Sequence, residues 1–252
     1  MENKSFLTYS ECIPSKSTHS TLCIKCGTRK GSIFCGLSIE QLRQLEEEKI
    51  IFNCQPKQII FSENNPPFMT YHIFSGQIKI TKTGWKGESF LVQLLGKGDI
   101  FGYTALLANE PYKETAMAVE PAVICGINKE TFLKVLQDSP EFAMRLMAKL
   151  SRDIHALEEQ TFSLVHETVK QRTARLLLFF FNNREDKQNR NIIKLKYLSH
   201  TEMAQMIGTT PESFSRALRF LAEKGCISVN RDAIIIVKPD VLQKAIPEIK
   251  CE

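Results

Sequence analysis

The 252-residue chain has no long hydrophobic run; its greasiest stretch, Leu176–Phe181, is six residues. A membrane-spanning helix needs about 20 apolar residues, so none is expected and no membrane partner either. The opening MENKSFLTYSEC lacks the basic-then-apolar order of a signal peptide, and the expected location is the cytoplasm. Tryptophan is almost absent, with Trp85 alone. The five histidines, His19, His72, His155, His166 and His200, are scattered. No serine, histidine and carboxylate converge in a catalytic pattern, and no glycine-rich phosphate loop occurs, so an enzyme is not expected. His72, inside an alternating apolar run, reads as structural. Excess charge is missing from the first two thirds: residues 1–165 hold 18 Lys+Arg and 18 Asp+Glu. Residues 166–252 hold 15 and 10, so the net charge of +5 lies wholly there and points to a polyanion partner.

Cysteine, by contrast, is plentiful. In a reducing compartment clustered cysteines more often bind metal or sense redox state than form disulfides. The stretch TLCIKCGTRKGSIFCGL carries Cys23, Cys26 and Cys35, one donor short of a tetrahedral site. Lys25, Arg29 and Lys30 beside them would offset thiolate charge. Cys12 is an alternative donor. Cys54 and Cys226 read as packing residues and Cys251 as part of a tail. By pattern alone Cys125, alternating with Val123 and Ile127, is a small residue of a buried strand.

The organisation predicts an α+β chain of four parts. Residues 1–36 form an irregular cysteine-rich segment. Residues 37–137 open with a short amphipathic helix capped by Ser38. Short alternating strands follow, such as YHIFSGQIKI and AVICGIN, with Gly76, Gly84, Gly96, Gly98 and Gly102 at turns; this is a β-roll or jelly roll. Residues 138–166 form a long helix with Pro140 in its first turn. Its seam, Met147, Leu150, Ile154, Leu157, Thr161 and Leu164, follows alternating steps of three and four, as in a dimeric coiled coil. Phe142, Leu146 and Phe162 supply a second apolar face. The seam carries no charge, so a homodimer is expected whether or not metal is bound. Residues 167–252 form the last part, with a helix over 168–183 and a polar loop over 184–191.

Within it, SHTEMAQMIGTTPESFSRALRFLAEKG (199–225) reads as a helix-turn-helix. Ser199 and Glu202 make a capping box, Ala204 is small enough for close crossing, and Gly208 permits the turn. Thr210 caps a second helix with Pro211 at its first position. CISVNRDAIIIV then gives two short strands, a wing. Glu212, Ser215 and Arg216 are placed to read base edges of double-stranded DNA. Thr210, Ser213 and Arg219 suit backbone contacts or capping.

A β-roll, long helix and winged helix-turn-helix in this order resemble the Crp/Fnr family of bacterial transcription regulators. YHIFSGQIKI, GKGDIFGYTALL and the E-S-F-S-R core carry the resemblance over about residues 37–240. It implies a cyclic-nucleotide-binding-like jelly roll as sensor and a dimeric DNA-binding regulator. The cyclic-nucleotide branch has a ribose-binding glutamate where this chain has Tyr103, and an Arg-Ser pair where it has Lys113-Glu114, so cyclic nucleotide is not expected. The FNR-like branch is more similar: an N-terminal cysteine group and one distant cysteine hold an oxygen-labile iron–sulfur cluster. That implies Cys23, Cys26, Cys35 and Cys125 as ligands of a 4Fe-4S cluster, with zinc or no metal as alternatives. The gap between Cys26 and Cys35 is longer than the branch pattern. Glu212, Ser215 and Arg216 match the branch that reads TTGAT-type palindromes, and RNA polymerase is the implied partner. Trp85, in TKTGWKGE, is either a polymerase contact or a packed turn residue. The competing expectation is a Crp-like regulator answering a small molecule or heme, with zinc or free thiols at the N-terminus.

Overall fold

The structure is a computed structural model that describes residues 23–85, 87–182, 192–194, 198–231 and 233–244. Cys12 and Cys251 lie outside the described residues. The chain forms two compact units, Met1–Arg152 and Asp153–Glu252.

The first unit opens with three single-turn 3-10 segments, Cys23–Lys25, Arg29–Gly31 and Ile33–Gly36. Helix α1 (Ile39–Glu48) starts at a reciprocal cap: the Gln41 amide donates to Ser38 Oγ at 3.2 Å, and the Ser38 amide donates to Gln41 Oε1 at 3.0 Å. Eight strands follow: β1 (Ile50–Cys54), β2 (Ile59–Phe61), β3 (Met69–Ser75), β4 (Ile78–Thr83), β5 (Ser89–Leu95), β6 (Ile100–Phe101), β7 (Thr115–Ala118) and β8 (Ala122–Asn128). Helix α2 (Tyr103–Ala108) interrupts them after β6. They pair into two antiparallel four-stranded sheets, β1-β8-β3-β6 and β2-β7-β4-β5. This is the β-roll expected from the alternating pattern.

The two faces of β8 have different covers. Ala122 and Ile124 point into the roll, where they pack with Phe61, Tyr71, Ile73, Phe101 and Tyr112. Ile127 belongs to a second cluster on the outer face, with Ile33, Phe34 and Leu37 from the N-terminal turns and Leu42 and Leu45 from α1. Helix α3 (Lys129–Asp138) and the start of α4 (Pro140–His166) complete that cover through Phe132, Val135, Phe142 and Leu146. The N-terminal turns are therefore a packed layer over the sheet, because their apolar residues have an exposed sheet face to bury. Cys54 is buried and also disulfide-bonded, which the packing expectation did not include.

In the second unit the distal part of α4 leads to α5 (Val169–Asn182), β9 (Ile192–Lys194), α6 (His200–Met206), α7 (Pro211–Glu223), β10 (Ile227–Val229), β11 (Ala233–Ile236) and α8 (Pro239–Lys244). The wing is a three-stranded sheet, β10-β11-β9, one strand larger than the sequence suggested. Phe142 and Leu146 are buried as expected, but Phe162 is 46% exposed and lies against His166 instead of a core.

A buried carboxylate fixes the bend between α4 and α5. Glu167 accepts from Ser163 Oγ at 2.6 Å and pairs with the Arg175 guanidinium. Burial alone would raise its pKa; the Arg175 and Ser163 bonds outweigh this and hold it below the usual carboxylate value. A depressed carboxylate stabilises the fold above its unfolded pKa, and that contribution is lost as pH falls through the folded value. Glu167→Gln should lower the stability of this unit by about 1.5–3 kcal/mol at pH 7, the range for bonds to charged groups. Urea melts at stepped pH should show the difference from the parent shrinking below pH 4.5.

Candidate functional site

Register on the outer sheet face sets the first site. On β8, Cys125 lies opposite His72 of β3 on one side and Ile51 of β1 on the other. Directly opposed residues of antiparallel strands project to the same face. Above that face lies a cavity of about 50 Å³, walled by Cys23, Cys26, Cys125, His72, Arg29, Lys49, Phe34 and neighbouring apolar residues. Three of the four cysteines implied as ligands thus share one cavity. Cys35 is not on its wall; it lies in the Ile33–Gly36 turn, whose Ile33 and Phe34 are the buried residues. Among the described residues no three histidine, cysteine or carboxylate side chains converge to metal-binding distance.

The surroundings of the thiols are specific. Lys49 Nζ lies 3.6 Å from Cys23 Sγ and 3.0 Å from Glu46 Oε1, and the Cys23 amide donates to Glu46 Oε2. Cys26 Sγ lies 3.0 Å from Thr28 Oγ1. Burial pushes the Cys23 thiol up to about 12, against the pull of Lys49. Burial likewise pushes Cys125 up to about 11, again against Lys49. At these values both sulfurs are neutral thiols near pH 7, and a metal would have to displace their protons to bind. Burial lowers His72 to about 4, so its ring is neutral. Its Nε2 is buried and has no hydrogen-bond partner.

The cavity wall connects to α4. The Phe34 ring meets His72 edge-on at 5.3 Å and packs on Phe142 of α4 at 5.6 Å. Gly36 brings the N-terminal turns close to the same helix: a Cβ there would lie 2.4 Å from Glu141 Oε1. At its far end α4 packs on the turn between α6 and α7. Gly208 has φ +61, and a Cβ there would lie 2.6 Å from Leu164 Cδ2. Gln160 Nε2 donates to the Met206 carbonyl at 3.3 Å.

The helix-turn-helix has the expected caps. The Glu202 amide donates to Ser199 Oγ, and the Ser213 amide to Thr210 Oγ1. Phe214, Ala217, Leu218 and Leu221 are buried, which leaves Glu212, Ser215, Arg216 and Arg219 exposed on the other face of α7. Arg216 Nη2 donates to Ser213 Oγ at 2.8 Å, and hydrogen bonds at the start of α7 hold Glu212 below the usual carboxylate value. Thr210 caps α7, one of the two roles expected of it, whereas Ser213 provides the capped amide and its hydroxyl accepts from Arg216.

The sequence pattern of the cyclic nucleotide-binding domain family matches residues 51–139, and that of the Crp-like helix-turn-helix domain matches residues 171–245. The chain is a transcription regulator of the Crp/Fnr family. It is 26% identical over 185 residues to a cyclic AMP receptor protein of Thermus thermophilus, covering 73% of this chain and 82% of that one. It is 27% identical to a global nitrogen regulator of Nostoc sp., covering 77% and 88%. Among solved structures, FixK2 of Bradyrhizobium japonicum has the same fold at a TM-score of 0.68 and 20% identity, covering 79% of this chain and 98% of that one.

Crp/Fnr regulators bind DNA and act as dimers. On α4, Met147, Ile154, Leu157 and Leu164 are exposed, at 53%, 56%, 60% and 43%, and Thr161 lies between them. Leu150 is half-buried against the outer cluster instead. At the positions that bind nucleotide in the Crp-like branch, Tyr103 is buried in the outer cluster, Lys113 pairs with Glu110 and Glu114 lies 4.0 Å from Lys82. The roll interior is filled by its own rings, with Phe61 stacked on Tyr112 at 3.8 Å. Trp85 is fully exposed at the β4–β5 tip, which excludes the packed-turn expectation. No helix among the described residues is long and apolar enough to cross a membrane.

Sequence reasoning missed Lys49 and the site-side role of His72. Neither has a local signal; only the pairing of β3 with β8 and the docking of α1 bring them to the thiols.

Proposed function

We propose that this regulator senses oxygen or redox state through a thiolate-bound iron–sulfur cluster and reads TTGAT-type palindromes as a homodimer. The observation that carries the reading is that Cys23, Cys26 and Cys125 line one cavity beside Lys49 and Arg29. Soft thiolates suit iron–sulfur clusters and zinc, and the two cations offset thiolate charge. The donor chemistry therefore fits such a group. Bound there, a cluster supplies a centre that reacts with oxygen.

The rest is work for the chain. The empty cavity is the size of a few waters or one ion. Filling it with anything larger requires the covering turns to move. Phe34 is both wall of the cavity and packing partner of Phe142, so a shift of the turns bears on the first turn of α4. The helix is continuous to His166 and carries the helix-turn-helix against Leu164 and Gln160. Any ligand moves such an equilibrium only by its different affinity for the two arrangements. Dimerisation is independent of the switch, because the exposed seam is uncharged. Arg216 and Glu212 read base edges, Ser215 assists, and Arg219 holds phosphate. The exposed Trp85 tip is the contact offered to RNA polymerase. A single zinc ion is the second reading, favoured by the small volume of the cavity.

The deciding experiment is purification without air, followed by iron, sulfide and zinc analysis and DNA titration before and after air. Iron and sulfide should be present, and affinity for the palindrome should fall about tenfold, equivalent to about 1.4 kcal/mol. Zinc without sulfide, and affinity indifferent to air, would overturn the sensing claim. Phe34→Ala should leave iron content at the parent level while shrinking the response of DNA affinity to air. Ile154→Glu should give a monomer on gel filtration at all metal contents. Arg216→Ala should cost about 1–3 kcal/mol at the cognate site and relax base preference. Arg219→Ala should weaken all duplexes alike and reduce the salt slope by about 1, as read by titration at several salt concentrations.

A further inference from the structure

We propose that His72 is the fourth protein ligand of the thiol-lined centre, beside Cys23, Cys26 and Cys125, and that Cys35 stands outside the ligand set. This rests on the reading that the cavity takes a metal, and it changes which side chain closes the site.

Three observations carry it. First, His72 is 5% exposed, and its Nε2 is buried without a hydrogen-bond partner. Buried polar atoms nearly always have a partner, and this unpartnered nitrogen belongs to a residue that lines the cavity. Second, the register of β3 on β8 sets His72 directly opposite Cys125 on the outer sheet face. Such pairs have Cβ atoms about 4.5–5.5 Å apart, a spacing from which two side chains can share one ion. Third, Cys35 is not on the cavity wall, whereas His72 is. The sheet thus offers one rigid half of the shell, His72 and Cys125. The Cys-x-x-Cys turn offers the other half, which loading must draw inward.

Charge favours the same set. A core of charge +2, zinc ion or iron–sulfur cube alike, carries one net negative charge with three thiolates and a neutral imidazole. With four thiolates it carries two. Lys49 and Arg29, set against Glu46, leave one positive charge beside it. The three-thiolate shell is therefore neutralised on site, and a buried net charge is avoided. Imidazole nitrogen and thiolate sulfur are both ordinary ligands of zinc and iron.

The test uses the full chain, prepared without air, stripped and loaded with zinc alone. X-ray absorption at the zinc edge should count three sulfurs and one nitrogen in the parent. Cys35→Ser should keep that shell and the parent's resistance to a chelator. His72→Asn should lose the nitrogen and release zinc about tenfold more readily or worse. Thermal melts of the metal-free proteins check that each variant folds; the parent spectrum decides the matter even if His72→Asn does not. A parent shell of four sulfurs overturns the His72 assignment alone, as does loss of zinc from Cys35→Ser. A parent that binds no zinc and no iron overturns the metal reading and this assignment with it.

Discussion

The pairing of β3 with β8 is the constraint on which the thiol-lined cavity depends. It aims His72 and Cys125 out of the roll, away from the interior rings, on a sheet face that must be covered. The cover is supplied by residues of the N-terminal turns and α1, and it brings Cys23 and Cys26 over Cys125. A slip of one residue in that register would put the two side chains on opposite faces of the sheet and take one of them out of the cavity wall. The apolar packing of Ile33, Phe34 and Leu37 thus does two things at once. It completes a hydrophobic layer, and it covers a thiol-lined cavity beneath the layer.

The cavity wall packs on α4. Phe34 bridges it to Phe142, and α4 runs unbroken to the contacts of Leu164 and Gln160 with the helix-turn-helix. Gly208 is required there twice over, by its left-handed backbone and by the Leu164 side chain against it. Glu167 and Arg175 pair where α4 gives way to α5.

The DNA-binding half was legible from sequence because its signals are local. Ser199, Glu202, Gly208, Thr210 and Pro211 act within a turn or two of their own positions, and the structure has each in its expected role. The roll was legible as alternation, and α4 as a long amphipathic helix. What was not legible depends on distant pairing. The position of His72 opposite Cys125 was hidden because nothing nearby in sequence marks its neighbour across the sheet. Cys35 looked equivalent to Cys23 and Cys26, although only its neighbours Ile33 and Phe34 turn inward. Phe162 followed the helical period of Phe142 but has no core to enter. The third wing strand, Ile192–Lys194, is too short to show a period at all.

The central claim is that metal in the cavity and DNA on α7 bias one equilibrium, and such coupling is reciprocal. The direct measurement is metal retention against a chelator, without air, in the presence and absence of the palindromic duplex. The account predicts that duplex tightens metal binding by the same factor by which metal tightens duplex binding. Equal retention with and without duplex would contradict it.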